Sequence, residues 1–379
     1  MVKFTNNDYL IPEIIMEENL VKTCLHDRHV KLGALMSPFG GFDMPIQYVG
    51  ITEEHNAVRN AVGVFDVSHM GEVRVKGKDA YKYVSHIFVN DVTGAPDGQI
   101  FYGMMCYENG GTVDDLLVYK VNDEEYFLVI NAANIEKDVK WIKDNAEGFE
   151  VEITDESPLY GEVAVQGPKA EETLENILGI DLNQLAFYTF KVFNLGGEEV
   201  LISRTGYTGE DGFEVYGSHG YIQKLWDRLM EEGVQPCGLG CRDTLRFEVG
   251  LPLYGDELSP EISPIEASLS MFVKLDKPEF IGKEALARQK ADGVKRRIVG
   301  LELEGNAIPR HGYPVLVDGK QVGEITTGYR SISTGKSVAM AMIDKPYDKL
   351  GTPVEVQIRK KTFPATVVKK RFYDKNYKK

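Results

Sequence analysis

The segment Arg204-Thr205-Gly206-Tyr207-Thr208-Gly209-Glu210-Asp211-Gly212-Phe213-Glu214 places three glycines at three-residue spacing among an aromatic ring and carboxylates. Glycine lets the backbone approach another group closely or take up positive φ. Tyr207 can stack on a planar group, and Glu214 can accept two N–H donors from one planar edge. Read by itself, the segment is first of all a glycine-rich hairpin with solvated acids. The rest of the chain decides between a turn and a site.

The chain has 379 residues, enough for two or three domains and a sizeable core. Its 43% hydrophobic and 27% charged residues are ordinary globular values. No apolar run approaches the roughly 18–20 residues that span a bilayer. A net charge of −15 argues against a general binder of nucleic acid or membrane surfaces. Cys24, Cys106, Cys237 and Cys241 form no C-x-x-C pair and read as reduced thiols in a cytosol-like compartment. The first residues lack a secretory apolar stretch. Glu13, Glu17 and Glu18 precede the first arginine, Arg28, against the pattern of a mitochondrial presequence. The expected address is a bacterial cytoplasm.

Residues 1–20 read as an appendage. Glu53 to Val62 has helical spacing, with Ala57, Val58, Ala61 and Val62 on one side and a stop at Gly63. Glu72–Lys76 alternates as a strand, and 112–119 and 125–130 read as neighbouring strands. Asn131 stands where a helix cap would, before 136–142. Pro168 opens a helix that ends at Gly179. Ser218 to Gly233 predicts the best helix, with Ile222, Leu225, Trp226 and Leu229 on one face. Strands and helices mix up to about Leu286. Beyond the basic linker Lys295-Arg296-Arg297 the texture is strand after strand, with turn signals such as Asp318-Gly319. The expected class is α+β, with a separate small all-β domain over 296–379.

Several stretches carry candidate chemistry. Gly238-Leu239-Gly240 comes nearest to a dinucleotide fingerprint but has Asp243 at the third glycine position, and no Walker A sequence exists. His26-Asp27-Arg28-His29 lacks the partners of a metal set and reads as a helix edge. In Gly110-Gly111-Thr112-Val113-Asp114-Asp115-Leu116-Leu117 the two acids project to opposite strand faces. One can be solvated while the other enters a pocket as an acid/base or electrostatic group. Turn-flanking acids are also common, so the bland reading stays open. Arg242 and Arg246 lie four apart on one helical face, where their forks suit carboxylates; a salt-bridged helix with Asp243 and Glu248 is equally consistent. Asp66-Val67-Ser68-His69-Met70 reads as the end of a core strand. The C-terminal lysines and arginines from Arg359 to Lys379 form a local positive field or a solvated end.

Taken together, these segments resemble the glycine cleavage T-protein family, the folate-dependent aminomethyltransferases. The likeness runs from about Leu25 to Tyr377 and rests on ordered motifs. These are Met44-Pro45-Ile46-Gln47-Tyr48, Phe65-Asp66-Val67-Ser68-His69-Met70-Gly71-Glu72, Asp114-Asp115-Leu116, Gln166-Gly167-Pro168, the Gly206–Gly212 loop and Arg242-Asp243-Thr244-Leu245-Arg246. Gly250-Leu251-Pro252-Leu253-Tyr254-Gly255 and Phe280-Ile281-Gly282-Lys283-Glu284 continue the series. The resemblance implies a multi-domain disc around a central folate channel, with residues 21–286 as two intertwined α+β subdomains and the last domain, 296–379, a small β-barrel. It implies that Asp115 is the catalytic carboxylate and that Glu214 holds the edge of the pterin. Tyr207, Met70 and Val129 would line the folate slot, with Arg242 and Tyr377 completing it. The co-substrate would be tetrahydrofolate, with no metal. The partner would be lipoylated H-protein, with neither nucleic acid nor membrane, and the chain is expected to be a monomer. The products would be 5,10-methylenetetrahydrofolate, ammonia and the reduced lipoyl arm.

Three departures from the family pattern stand out. Met271 sits where an aromatic residue is common, Ser331-Ile332 replaces a Ser-Pro turn, and residues 1 to about 20 have no counterpart. Two rival readings share the fold. One is a folate-dependent demethylase. The other is a non-catalytic folate-binding factor of iron–sulfur maturation, whose Lys-Gly-Cys-Tyr-type motif has no cysteine counterpart in Lys277–Glu284.

Overall fold

A computed structural model describes residues 20–378, so the expected appendage, Leu20 apart, lies outside the described residues. The fold is α+β. One antiparallel sheet of five strands runs in the spatial order Ile100–Cys106, Thr112–Asn122, Glu125–Ile130, Gly71–Lys76, Glu152–Asp155. A second sheet of six runs Phe190–Leu195, Glu198–Ser203, Gly212–Gly217, Gly161–Gln166, Gly63–Asp66, Gln235–Pro236; only its last pairing is parallel. Six further strands between Arg296 and Val368 close into a barrel. The Asp318-Gly319 turn joins two of them with both residues at positive φ, which suits a tight two-residue hairpin.

The central strands Glu125–Ile130 and Gly212–Gly217 are covered on both faces, so they are buried along nearly their whole length. In Glu125–Ile130 the side chains of Tyr126, Leu128 and Ile130 pack with Tyr83, Val84 and Ile142 from helices Ala80–Ile87 and Ile135–Asp144. Phe127 and Val129 point the other way and pack with Phe190, Leu201 and Tyr216 of the second sheet. The second sheet does the same. Val163, Val165, Phe213 and Val215 meet Leu174, Leu225 and Trp226 of its covering helices, while Tyr216 faces the first sheet. Because side chains alternate along a strand, Glu214 shares the face of Tyr216. The strand register sets Glu162 opposite Tyr216 on that same face. The sheet-to-sheet face therefore carries the polar groups from which a site can be built.

Helix Ala170–Leu178 closes on Gly179 in the left-handed region, and His219–Glu231 begins with Ser218 Oγ accepting from the Tyr221 backbone N–H at 3.1 Å. The helix expected over 53–62 is corrected. It spans Ile51–Asn60, and its buried face is Glu54, His55, Val58 and Arg59 rather than an alanine–valine stripe. The Glu54 carboxylate accepts the backbone N–H groups of Tyr48, Val49, Gly50 and Gly238. Arg59 is buried against Glu210, Glu248 and the carbonyls of Thr208 and Leu245. A charge so enclosed needs such a full set of partners.

Candidate active site

A cavity of about 1040 Å³ lies where the two sheets and the barrel meet. Asp115, Glu214, Tyr207, Met70, Val129, Arg242 and Tyr377 all line it. Strand Thr112–Asn122 delivers Asp115, strand Gly212–Gly217 delivers Glu214, and helix Leu239–Glu248 delivers Arg242.

Asp115 is held from two sides. The Tyr102 hydroxyl donates to Oδ2 at 2.9 Å, and Asn131 Nδ2 donates to Oδ1 at 3.0 Å. Asn131 corrects an expectation: its side chain caps no helix. It clamps the acid pair instead, donating to Asp114 Oδ1 at 2.8 Å as well, while its backbone N–H donates to Asp114 Oδ2 at 3.0 Å. Asp114 is also not solvated. It is fully buried, with Asn134 Nδ2 a further donor at 2.8 Å. Burial first, and the Asp114 charge second, push the Asp115 carboxyl up to about 7. A carboxyl poised there can accept a proton near neutral pH.

The opposite wall is organised by the glycine loop. Thr205 Oγ1 donates to Glu214 Oε2, and Ser203 Oγ sits 2.7 Å from Thr205 Oγ1. Burial raises the Glu214 carboxyl above its ordinary range, opposed by Thr205 and by the positive charge of Arg242. The Arg242 guanidinium lies over the Tyr207 ring at 4.7 Å, and its buried Nη1 has no hydrogen-bond partner among the described residues. The glycines serve the loop's own packing. A Cβ on Gly206 or Gly212 would run into the Gln166 amide, and Gly209 has φ +84° with Val249 against it. Gln166 in turn donates to Thr205 O and accepts from Thr208 Oγ1.

Arg246 does not join Arg242 at the cavity. It is fully buried and pairs with Asp243 and Glu257, reaching Thr327 of the barrel, so the two-arginine fork is split into one site group and one structural group. Glu248 pairs with Arg59 and His55 rather than Arg246. The C-terminal stretch is no frayed end within the described residues. Asn376 N donates to Gly209 O at 2.8 Å, Tyr377 stacks on Phe187 at 4.2 Å, and Lys378 pairs with Glu171 at 2.8 Å. Lys369, Lys370, Arg371 and Lys375 line the cavity beside Tyr377. Met271, 71% exposed, is part of the same wall.

The His26–His29 stretch is used inside the fold. His29 lies 2.8 Å from Asp66 and 2.8 Å from the Tyr48 hydroxyl, and His26 lies 2.8 Å from Asp43. Sequence reasoning missed Tyr102, Asn131, Glu162 and Phe187. Only Asn131 carried a signal, a polar residue directly after an apolar strand, and that signal pointed to a cap.

The comparisons with known proteins fall on this geometry. A model described as the GCVT N-terminal domain matches residues 25–277, and the glycine cleavage T-protein C-terminal barrel domain matches 296–374. The chain belongs to the glycine cleavage T-protein family. It is 52% identical over 367 residues to the aminomethyltransferase of Thermoanaerobacter pseudethanolicus, covering 96% of this chain and 100% of that one. It is 47% identical over 366 residues to the aminomethyltransferase of Lysinibacillus sphaericus, covering 95% of this chain and 100% of the relative. The crystal structure of glycine cleavage system aminomethyltransferase T from Bartonella henselae superposes with a TM-score of 0.90 at 31% identity, covering 95% and 100% of the two chains. The enzyme is an aminomethyltransferase, and the demethylase and iron–sulfur maturation readings are not favoured. The three-part arrangement around a central cavity, with a closed six-stranded barrel last, is the fold expected of this family.

Proposed function

We propose that the cavity holds tetrahydrofolate, that Glu214 accepts the ring N–H and exocyclic amine of its pterin, and that Asp115 is the catalytic carboxylate. One observation carries the reading: Asp115 and Glu214 line the same cavity, each anchored by fixed donors, with Tyr207, Met70 and Val129 also lining it and Arg242 on the Tyr207 ring. The carbon to be moved arrives on the lipoyl arm of H-protein, bonded to one sulfur and one nitrogen. It leaves bonded to two folate nitrogens, as 5,10-methylenetetrahydrofolate. The carbon–sulfur and carbon–nitrogen bonds break, and two carbon–nitrogen bonds form. The two protons released by the folate amines end on the lipoyl thiol and on ammonia. Ionised Asp115 stabilises the cationic, iminium-like carbon and takes a proton from the attacking nitrogen. No covalent enzyme nucleophile enters. Arg242 and Tyr377 complete the folate site, and residues 21–286 and the barrel from 296 act as its two structural units. The enzyme works as a monomer in the cytoplasm. A coupled assay with H-protein, tetrahydrofolate and an aminomethyl donor tests the reading; turnover without H-protein, or no folate dependence, contradicts it.

The acid pair sets a pH signature. Asp115 must be ionised to act, and its carboxyl sits at about 7, so kcat falls as pH drops through that value. Asp114→Asn removes the like charge that raises Asp115, and the acid limb of the kcat profile moves to lower pH. An unmoved limb means that Asp115 does not govern it. The basic residues at the tail supply a second test. Association with an acidic H-protein weakens with salt, because exposed charges are screened beyond roughly 8–10 Å near physiological ionic strength. The KM for H-protein rises from low to moderate salt; a flat response removes the tail from docking.

A further inference from the structure

We infer that Glu162 is a second ligand group at the pterin end of the cavity, acting as a neutral carboxylic acid that donates a hydrogen bond to the ring acceptor beside the donor edge held by Glu214. The inference rests on the placing of the pterin at Glu214 proposed above. Glu162 lies in strand Gly161–Gln166, is 1% exposed and lines the cavity. Its Oε2 is buried and has no hydrogen-bond partner among the described residues. A carboxyl oxygen left bare in a native interior calls for an explanation, because an unpaired buried polar group costs free energy.

The strand register places Glu162 in reach of the ligand that Glu214 would bind. Glu162 is directly opposite Tyr216, and Glu214 is two residues before Tyr216 on the same face. Such diagonal neighbours have Cα atoms about 7–8 Å apart, with side chains closer. A fused bicyclic ring is of that width. A pterin edge that gives two N–H donors to Glu214 carries a carbonyl oxygen and a ring nitrogen as acceptors on either side. An ionised second carboxylate there would repel them, whereas a protonated one completes the match.

The surroundings favour the protonated form. Facing Glu162 are Glu214 and Tyr216 on the neighbouring strand, Glu72 on strand Gly71–Lys76, Tyr119 on strand Thr112–Asn122 and, as the cation, Arg242 on helix Leu239–Glu248. Burial first, then the charges of Glu214 and Glu72, push the Glu162 carboxyl well above its ordinary range, against the opposing pull of Tyr216 and Arg242. Tyr216 has its own hydroxyl partner in Tyr119 at 3.0 Å.

Calorimetric titration with tetrahydrofolate tests the inference on four forms of the full chain: wild type, Glu162→Gln, Glu162→Leu and Glu214→Ala. Glutamine keeps an N–H donor without a charge and should bind within about three-fold of wild type, while leucine, which cannot donate, should bind about ten-fold more weakly. Melting temperatures run in parallel. A merely structural Glu162 would change the melting temperature of the leucine form and leave its folate affinity alone. Glu162→Met replaces the leucine form if that one does not fold. Leucine or methionine binding as wild type overturns the inference, and so does glutamine binding as weakly as leucine, since the charged form would then be needed. In both cases a weakened Glu214→Ala shows that only Glu162 was misassigned. If Glu214→Ala itself binds like wild type, the pterin is misplaced and the inference falls with it.

Discussion

Asp115→Asn is expected to lower kcat by roughly 10²-fold or more while tetrahydrofolate still binds within a few-fold of wild type. A hundred-fold loss corresponds to about 2.7 kcal/mol, the scale on which a positioned charge acts on a transition state in a water-poor site. The amide keeps the shape of the carboxyl, and its oxygen can still accept from Tyr102 or Asn131, so binding geometry is spared. In the proposed mechanism the substitution removes the negative charge beside the developing cation and the acceptor for the amine proton. A second signature accompanies the loss. The Asp115 carboxyl is raised to about 7, so the folded protein binds its proton more tightly than the unfolded chain does. Its contribution to stability is therefore full at low pH and is lost as pH rises through about 7. At alkaline pH the Asn form should melt above the wild type, with activity and stability moving in opposite directions. Steady-state kinetics, calorimetry and thermal melting on the one variant check all three. Full activity in Asp115→Asn means that the catalytic carboxylate lies elsewhere and that the mechanism fails with it.

Glu214→Ala acts on affinity instead. One charge-assisted pair to a buried carboxylate is worth on the order of 1.5–3 kcal/mol, so tetrahydrofolate should bind about ten- to hundred-fold more weakly. The truncation also leaves Thr205 Oγ1 without the acceptor it now uses, though Ser203 Oγ at 2.7 Å remains a partner. With Glu214 at the pterin edge as proposed, the loss should appear mainly in Kd and KM for folate. An unchanged Kd removes Glu214 from the site.

The elements that follow one period were legible in the sequence. The helix over His219–Glu231 shows its apolar face, its Ser218 cap and its stop, because each is a local rule. The barrel strands follow one another with turn residues such as Asp318-Gly319 between them. Polar burial was not legible. Glu54, His55 and Arg59 face inward on a helix whose alanines and valines suggested another face, because their partners come from distant segments such as 208–210 and 245–248. Asn131 looked like a cap, since the rule for caps sees only the next three residues, whereas its real partners are Asp114 and Asp115 on the adjacent strand. Arg242 and Arg246 are equivalent by helical spacing. Only the barrel and Glu257, which enclose Arg246, separate them. Glu162 stood in an apolar strand four residues before the Gln166-Gly167-Pro168 motif and outside it, and the register against Tyr216 brings it to the face that lines the cavity.

The most direct measurement is a crystal structure of the enzyme with tetrahydrofolate bound. The pterin is expected inside the cavity, with two of its N–H groups about 2.8–3.0 Å from the Glu214 carboxylate, its ring against Tyr207, Met70 and Val129, and the reacting amines on the side of Asp115. A folate bound in the reverse direction, with its glutamate at Glu214, or bound outside this cavity, would contradict this placement.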